Sequence, residues 1–329
     1  MLRRDFITLL GGVAATWPIA AHGQPSGKVP RVGVLWHATR AEEEKGPLIF
    51  FRQGLKDFGY IDGQNIILEQ RFPNEEPELF KKYADELVAL QPDVLAAVTR
   101  PAALAAKRAT TTIPTVFVVV PDPLGGHLVK SLAHPEGNMT GLSTMAVDLT
   151  GKRFELLKEI IPDLSRCGLL VNMHDPEGAQ AYIDAGKEAS VKLGVSIQSI
   201  GVQSPRDFDD AFAAMTQANL QGVVLMQDGL FYAEQKTLAE LALRHRIPLI
   251  AFTKELAKSG MFMSYGPRIP EVFRRAGYFI DRILKGAKPQ DLPVEQPAIF
   301  EFSINLKTAV AMGISVSPIM LSRADEVIE

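Results

Sequence analysis

The chain has 329 residues, 47% of them hydrophobic and 22% charged, an ordinary globular composition that is longer than one typical core and so predicts two lobes. Its formal charge of −3, with no basic run, argues against nucleic acid as the main partner. The one cysteine, Cys167, excludes an internal disulfide; lying in the apolar run CGLLV, it reads as a buried, inert thiol.

The first residues read as an address rather than as part of the fold. Arg3-Arg4 precede the apolar stretch Leu9–Ala21 and a small-residue site near Ala21-His22-Gly23, the pattern of a twin-arginine export signal over residues 1–24. Gly11, Gly12 and Pro18 interrupt the apolar run, which favours a cleaved signal over a permanent span. The expected product is cut near Gln24 and lies in the periplasm.

Arg31–Trp36 is the first predicted strand and His37–Glu44 a polar loop at its carboxyl end. A helix follows with Phe51, Leu55 and Phe58 on one face and Gly59 as its stop. Asn65–Gln70 reads as a strand, and Glu76–Leu90 as a helix with Leu79, Tyr83, Leu87 and Leu90 inward. The strand Asp93–Val98 then runs into a sharp turn at Thr99-Arg100, and Pro101 opens an alanine-rich helix, where its fixed φ is no burden. Ile113-Pro114 opens the next strand, followed by the turn Pro121-Asp122-Pro123 and a short helix through Leu132.

Gly141-Leu142-Ser143 begins a new region. Helix Leu149–Ile161, strand Arg166–Asn172, helix Glu177–Leu193, strand Val195–Val202 and helix Asp207–Ala218 follow, the last with Phe208, Phe212 and Met215 inward. Gly222–Met226, the turn Gln227-Asp228-Gly229, helix Phe231–Arg244 and the strand opened by Ile247-Pro248 repeat the layout around Thr99-Arg100. Met261–Ser264 is a short strand, Ile269–Lys285 an amphipathic helix, Lys288–Pro297 a connection, Phe300–Ile304 the last strand and Leu306–Met312 the last helix, closed by Gly313. This alternation predicts an α/β fold with parallel sheets covered on both faces. The repeated turns at Thr99-Arg100 and Asp228-Gly229 would face each other across a cleft, at the carboxyl ends of strands where small ligands bind.

Motifs of catalysis are absent. No G-x-G-x-x-G follows a strand, Gly151-Lys152 lacks the earlier glycine of a phosphate loop (Ala146 stands there), and neither G-x-S-x-G nor H-E-x-x-H occurs. The six histidines are scattered, so no metal or cofactor is expected. Asp122, Asp175 and Asp228 lie at strand ends, where turn capping competes with a role in a site. Arg100 is a poor helix cap, and a guanidinium there has the geometry to pair with a carboxylate.

With these residues in place, the chain resembles the ABC-transporter substrate-binding family of the tryptophan-binding type. The similar stretches include FRQGLKDFGYIDGQNI (Phe51–Ile66), DPLGGHLVKSLA (Asp122–Ala133), GNMTGLS (Gly137–Ser143), GKRFELLKEIIP (Gly151–Pro162), MSYGP (Met263–Pro267) and RILKGAKPQDLPVEQP. The resemblance implies a type I periplasmic binding protein fold: two Rossmann-like lobes, residues 30–141 with 266–287 and residues 142–265 with 288–329, joined by a three-strand hinge. It also implies a monomer without catalytic residues that closes on an aromatic amino acid or small carboxylate and serves an ABC permease and its ATPase. Thr99-Arg100 replaces the small residue and Thr or Ser usual in the family, which favours an acidic group on the ligand. The expected ligand contacts are Trp36, His37, Thr99, Arg100, Pro101 and Ala102 on one side, and Asp122, Ser143, Asn172, Asp228, Thr253 and Tyr265 on the other. Trp36, Phe231 and Tyr265 are candidates to sandwich a ring. Other readings of the same architecture are a receptor for a sensor kinase or chemoreceptor, an enzyme, and a sugar-type repressor; the repressor would need a helix-turn-helix where the export signal stands.

Overall fold

The computed structural model describes residues 29–329, and the export signal lies outside them. The first lobe begins with β1 (Arg31–Leu35), α1 (Lys45–Lys56), β2 (Ile67–Arg71), α2 (Pro77–Ala89), β3 (Val94–Val98), α3 (Arg100–Ala109), β4 (Thr115–Val120) and β5 (Met139–Ser143). The second lobe contains α4 (Thr150–Ile160), β6 (Arg166–Asn172), α5 (Pro176–Leu193), β7 (Ser196–Val202), α6 (Phe208–Gln217) and β8 (Val223–Leu225). It continues through α7 (Gly229–Ala233), α8 (Gln235–His245), β9 (Leu249–Ala251), α9 (Lys254–Lys258) and β10 (Met263–Pro267). The chain then returns to the first lobe for α10 (Ile269–Leu284) and ends on the second with β11 (Phe300–Asn305), α11 (Leu306–Met312), α12 (Pro318–Arg323) and β12 (Glu326–Ile328).

The two sheets share one wiring. The first has the order β2-β1-β3-β4-β5, and the second β7-β6-β8-β9-β10 with β11 and β12 added at its edge. All pairings are parallel except that of β10 with β11, so the expectation of parallel sheets holds apart from this one seam. Because side chains alternate across a strand, Val32, Val34, Val94, Ala96 and Val98 face a core shared with α1 and α10. Leu35, Leu95 and Ala97 face the opposite core, beneath α2 and α3. Helices α1 and α10 cross in contact, since a Cβ on Gly277 would lie 2.2 Å from the backbone of Gly54. The second lobe has a single large core, which includes Phe208, Phe212 and Met215 as expected, and Cys167. The Cys167 thiol lies 2.9 Å from the Gly222 carbonyl, and burial pushes its pKa up to about 12.

Three crossings join the lobes. The first and third pair with each other: Ser143 N donates to the Glu295 carbonyl at 2.9 Å, and Glu295 N to Gly141 at 3.0 Å. Arg153, fully buried, clamps the first to the second by donating to the carbonyls of Ala146 at 3.0 Å and Tyr265 at 2.9 Å. Burial lowers its pKa to about 10.

Several local expectations need correction. The segment from Pro123 to Leu132 is a series of turns rather than a helix, because Asp122 Oδ1 accepts from the amides of Leu124 (3.1 Å) and Gly125 (2.8 Å) and folds the chain back. The helix expected over Phe231–Arg244 is two, α7 and α8, meeting at Glu234. Helix α2 buries Leu87 as expected, with Tyr83 and Leu90 half-buried against the same core, but Phe80 and Ala84 rather than Leu79 complete its inner face, and Phe58 lies beyond the end of α1, exposed. Neither Phe300–Ile304 nor Leu306–Met312 is last of its kind, since α12 and β12 follow.

Candidate ligand-binding site

A cleft of about 910 Å³, open solvent included, lies between the carboxyl ends of the two sheets. Val98, Val119, Met226, Phe252 and Phe273 are among its apolar walls, and Tyr182 and Tyr232 add rings with polar ends. Such a mixture of apolar wall and few polar groups is the usual character of a small-molecule site.

The Thr99-Arg100 turn is built under backbone strain. Thr99 sits at φ 77°, ψ 169° and Val119 at φ 60°, conformations that non-glycine residues, and β-branched ones above all, seldom adopt. The Val119 strain coincides with a register shift in the β4–β5 pairing. It leaves the Val119 carbonyl to accept from Gln227 Nε2 of the other lobe at 3.3 Å. Pro101 stands in the first turn of α3, as the sequence implied.

Arg100 does pair with carboxylates, and they are the protein's own. Its guanidinium binds Asp175 and lies 3.5 Å from Glu177, both at the start of α5 on the opposite lobe. Asp175 also caps α5, accepting from Gly178 N at 3.0 Å, so the capping reading of this residue holds, and it lines the cleft as well.

His37, at the end of β1, is held between Glu44 (3.0 Å from Nε2) and Glu75 (2.7 Å from Nδ1). Burial opposes its protonation, but the two carboxylates outweigh burial and hold its pKa well above the usual histidine value. Glu75 reaches the second lobe: a Cβ on Gly229 would lie 1.7 Å from Glu75 Oε1 and 2.7 Å from His37 Nδ1. The His37 ring also meets the edge of Tyr232 across the cleft, with centroids 6.5 Å apart.

Asp228 occupies the turn after β8, equivalent in wiring to the turn after β3. Its Oδ1 accepts from Asn172 Nδ2 at 2.8 Å and from Leu230 N at 3.0 Å. Burial, and then the negative charge of Glu75, push its pKa up to about 7 against those hydrogen bonds. Its neighbour Gln227 donates through its backbone amide to the Tyr182 hydroxyl, 3.2 Å away.

Of the sequence-selected residues, His37, Thr99, Arg100, Pro101, Asp122, Asp228 and Thr253 line the cleft. Asp122 follows β4 and so belongs to the first lobe, not to the far side. The others lie elsewhere. Trp36 is fully buried in the first core, stacked 6.3 Å from Phe72 and 6.0 Å from Phe273, with Nε1 donating to Gln70 at 3.0 Å. Ala102 is core beneath α3, and Phe231 packs on Phe208 in the second core. Ser143 is buried in β5, where its hydroxyl accepts from Met145 N at 3.1 Å. Tyr265 stacks on Phe300, with centroids 6.1 Å apart, and Asn172 serves behind the surface by holding Asp228. Sequence reasoning passed over Gln227 as a plain turn residue, and over Tyr182 and Tyr232, for which the only signal was an aromatic on a helix next to a strand end. No group of acidic, histidine or cysteine side chains able to hold a metal occurs among the described residues.

Comparison with known proteins places this geometry. Residues 33–328 match the family described as ABC transporter substrate binding protein. The chain belongs to that family. It is similar to a tyrosine-binding protein of Clostridioides difficile, with 26% identity over 294 residues, covering 88% of this chain and 83% of the relative. Among solved structures, a conserved domain protein from Vibrio cholerae superposes with a TM-score of 0.85 at 25% identity, covering 91% of this chain and all of the other. An ABC domain from Streptococcus pneumoniae in complex with L-Trp gives 0.84 at 23% identity, covering 92% and 100%. The fold is that of the type I periplasmic binding proteins. Within the described residues no helix is long and apolar enough to cross a membrane.

Proposed function

We propose that the protein is an exported solute receptor that closes two lobes on one small ligand, amino acid-like and aromatic or a small carboxylate, and presents it to a membrane permease and its ATPase. The carrying observation is that groups of both lobes meet around one cleft: Arg100 on Asp175, the Val119 carbonyl on Gln227, Glu75 against the Gly229 backbone. Relatives named for tyrosine and solved with L-Trp support the ligand class. The lobes are residues 30–141 with 266–287 and residues 142–265 with 288–329. Binding and release proceed without a covalent step, the ligand's preference for the closed form driving closure. His37, Thr99, Arg100, Pro101, Asp122, Asp228 and Thr253 are the residues of the earlier selection that would meet the ligand.

A thermal-shift screen with aromatic amino acids and aromatic acids tests the binding. Ligand at about 100 times its dissociation constant adds roughly 2.7 kcal/mol. A raised melting temperature with one of them supports the reading, and no shift with any rejects it. Export is tested separately by replacing Arg3-Arg4 with Lys-Lys: retention of the protein in the cytoplasm is expected, and unchanged export contradicts a twin-arginine route.

A further inference from the structure

The charges around the cleft do not cancel. Asp122, Asp175, Glu177 and Asp228 line it, against Arg100 and His37. Arg100 is already matched by Asp175 and Glu177, and His37 by Glu44 and Glu75. Asp122 and Asp228 meet only neutral donors, Asp122 the amides of Leu124 and Gly125, and Asp228 the Asn172 amide and the Leu230 backbone. Of the two, Asp228 stands beside Gln227, which also lines the cleft. Asp228 is half-buried in the cleft, and a carboxylate there without a counter-charge becomes costly once a ligand covers it, so the group that completes this site is a cation.

A second, independent group also calls for a donor. Gln227 lines the cleft at 7% exposure, and its Oε1 is buried with no hydrogen-bond partner. The orientation of the amide is fixed by its other atom: Nε2 faces the Val119 carbonyl, which only a donor can do, so the free atom is an acceptor. A buried acceptor left unpaired calls for an N–H or O–H from elsewhere.

We propose, resting on the receptor reading above, that the cleft recognises its ligand by a protonated amine, accepted by the Asp228 carboxylate and Gln227 Oε1, and that a ligand carboxylate is not required. The aromatic or aliphatic body of the amine lies on the apolar wall. Arg100 in this account shapes the cleft and joins the lobes, and the anion that it was expected to draw from a ligand is supplied by Asp175.

The test uses the mature protein and matched probes on three bodies, phenyl, 4-hydroxyphenyl and indole: the bare amine (phenethylamine, tyramine, tryptamine), the amino acid, and the acid without the amine (the 3-arylpropionates). On at least one body the amine and the amino acid should raise the melting temperature while the acid does not. In Asp228→Asn, which keeps the acceptor for Leu230 N, titration calorimetry should show amine affinity reduced by roughly tenfold or more, the value of a charge-assisted hydrogen bond. Gln227→Met removes the other acceptor, together with the Nε2 donor to the Val119 carbonyl, while leaving the hydrogen bonds of the Asp228 side chain in place, and should weaken the amine less. A shift with the acid alone, or with the amino acid alone, overturns the inference and leaves the receptor standing. No shift with any of the nine probes overturns both, and an unchanged affinity in Asp228→Asn overturns the assignment of the amine to Asp228.

Discussion

The two lobes are wired alike, yet the equivalent turns they present are opposite in charge. After β3 the chain places a guanidinium at the cleft, and after β8 a carboxylate. Each turn also reaches across. Arg100 is met by Asp175 and Glu177 of the second lobe, whereas Asp228 and Gly229 are met by Glu75 of the first, a carboxylate facing a carboxylate. One contact between the lobes is therefore satisfied within the protein and the other is not. The satisfied side acts as a latch, and the unsatisfied side is where a ligand has something to contribute.

The largest effect should come from spoiling the close approach at the second turn. Gly229→Val drives a side chain into Glu75 and His37. At the upper end for overpacking, about 3 kcal/mol, this predicts a loss of up to roughly 100-fold in ligand affinity and a lowered ligand-free melting temperature, because this approach of the lobes is already made without ligand. Titration calorimetry beside calorimetric melting reads both; wild-type affinity in the variant would show that the lobes need not meet there.

Breaking the latch should come next. Asp175→Asn keeps the cap of α5 but removes the buried partner of Arg100, and is expected to cost about 1–3 kcal/mol in denaturant unfolding, below the full value for a buried pair because both groups retain some exposure.

The unsatisfied side should report itself through pH. Asp228 faces Glu75 and His37 from the first lobe and Asp175 and Asn172 from its own. Its folded pKa is raised above the unfolded value, so its contribution to stability is complete below about pH 4 and is lost as pH rises through about 7. His37, also raised, likewise loses its contribution as pH rises. The ligand-free protein should melt about 2–4 °C lower at pH 8 than at pH 5.5, and Asp228→Asn should flatten that slope. A melting temperature that rises with pH would contradict the assignment.

The smallest effect is expected from Glu177→Gln. Its carboxylate is 83% exposed and 3.5 Å from Arg100, and exposed pairs contribute little, so the change should stay within about 0.5 kcal/mol in the same unfolding experiment. A loss equal to that of Asp175→Asn would mean the two carboxylates share the latch.

Much of the fold was legible because its signals are local. Pro101 marks the start of α3, and apolar runs ending in small turns mark β3 and β8. The site was legible only where position along a strand is enough. Alternation could have corrected Trp36: it shares parity with Val32 and Val34, and all three face one core, while His37 next to it turns to the cleft. Arg100 was picked out by its odd place at a helix start, but its partner Asp175 is 75 residues away and no pattern in the sequence joins them. The free acceptor on Gln227 is equally invisible, because it exists only through the Val119 carbonyl of the other lobe.

The most direct test is a crystal structure of the mature protein with a bound aromatic amine or amino acid. The account predicts density between the Thr99-Arg100 and Asp228-Gly229 turns, with the ligand nitrogen about 3 Å from the Asp228 carboxylate. Ligand density on an outer face, or a nitrogen turned away from Asp228 toward solvent, would contradict it.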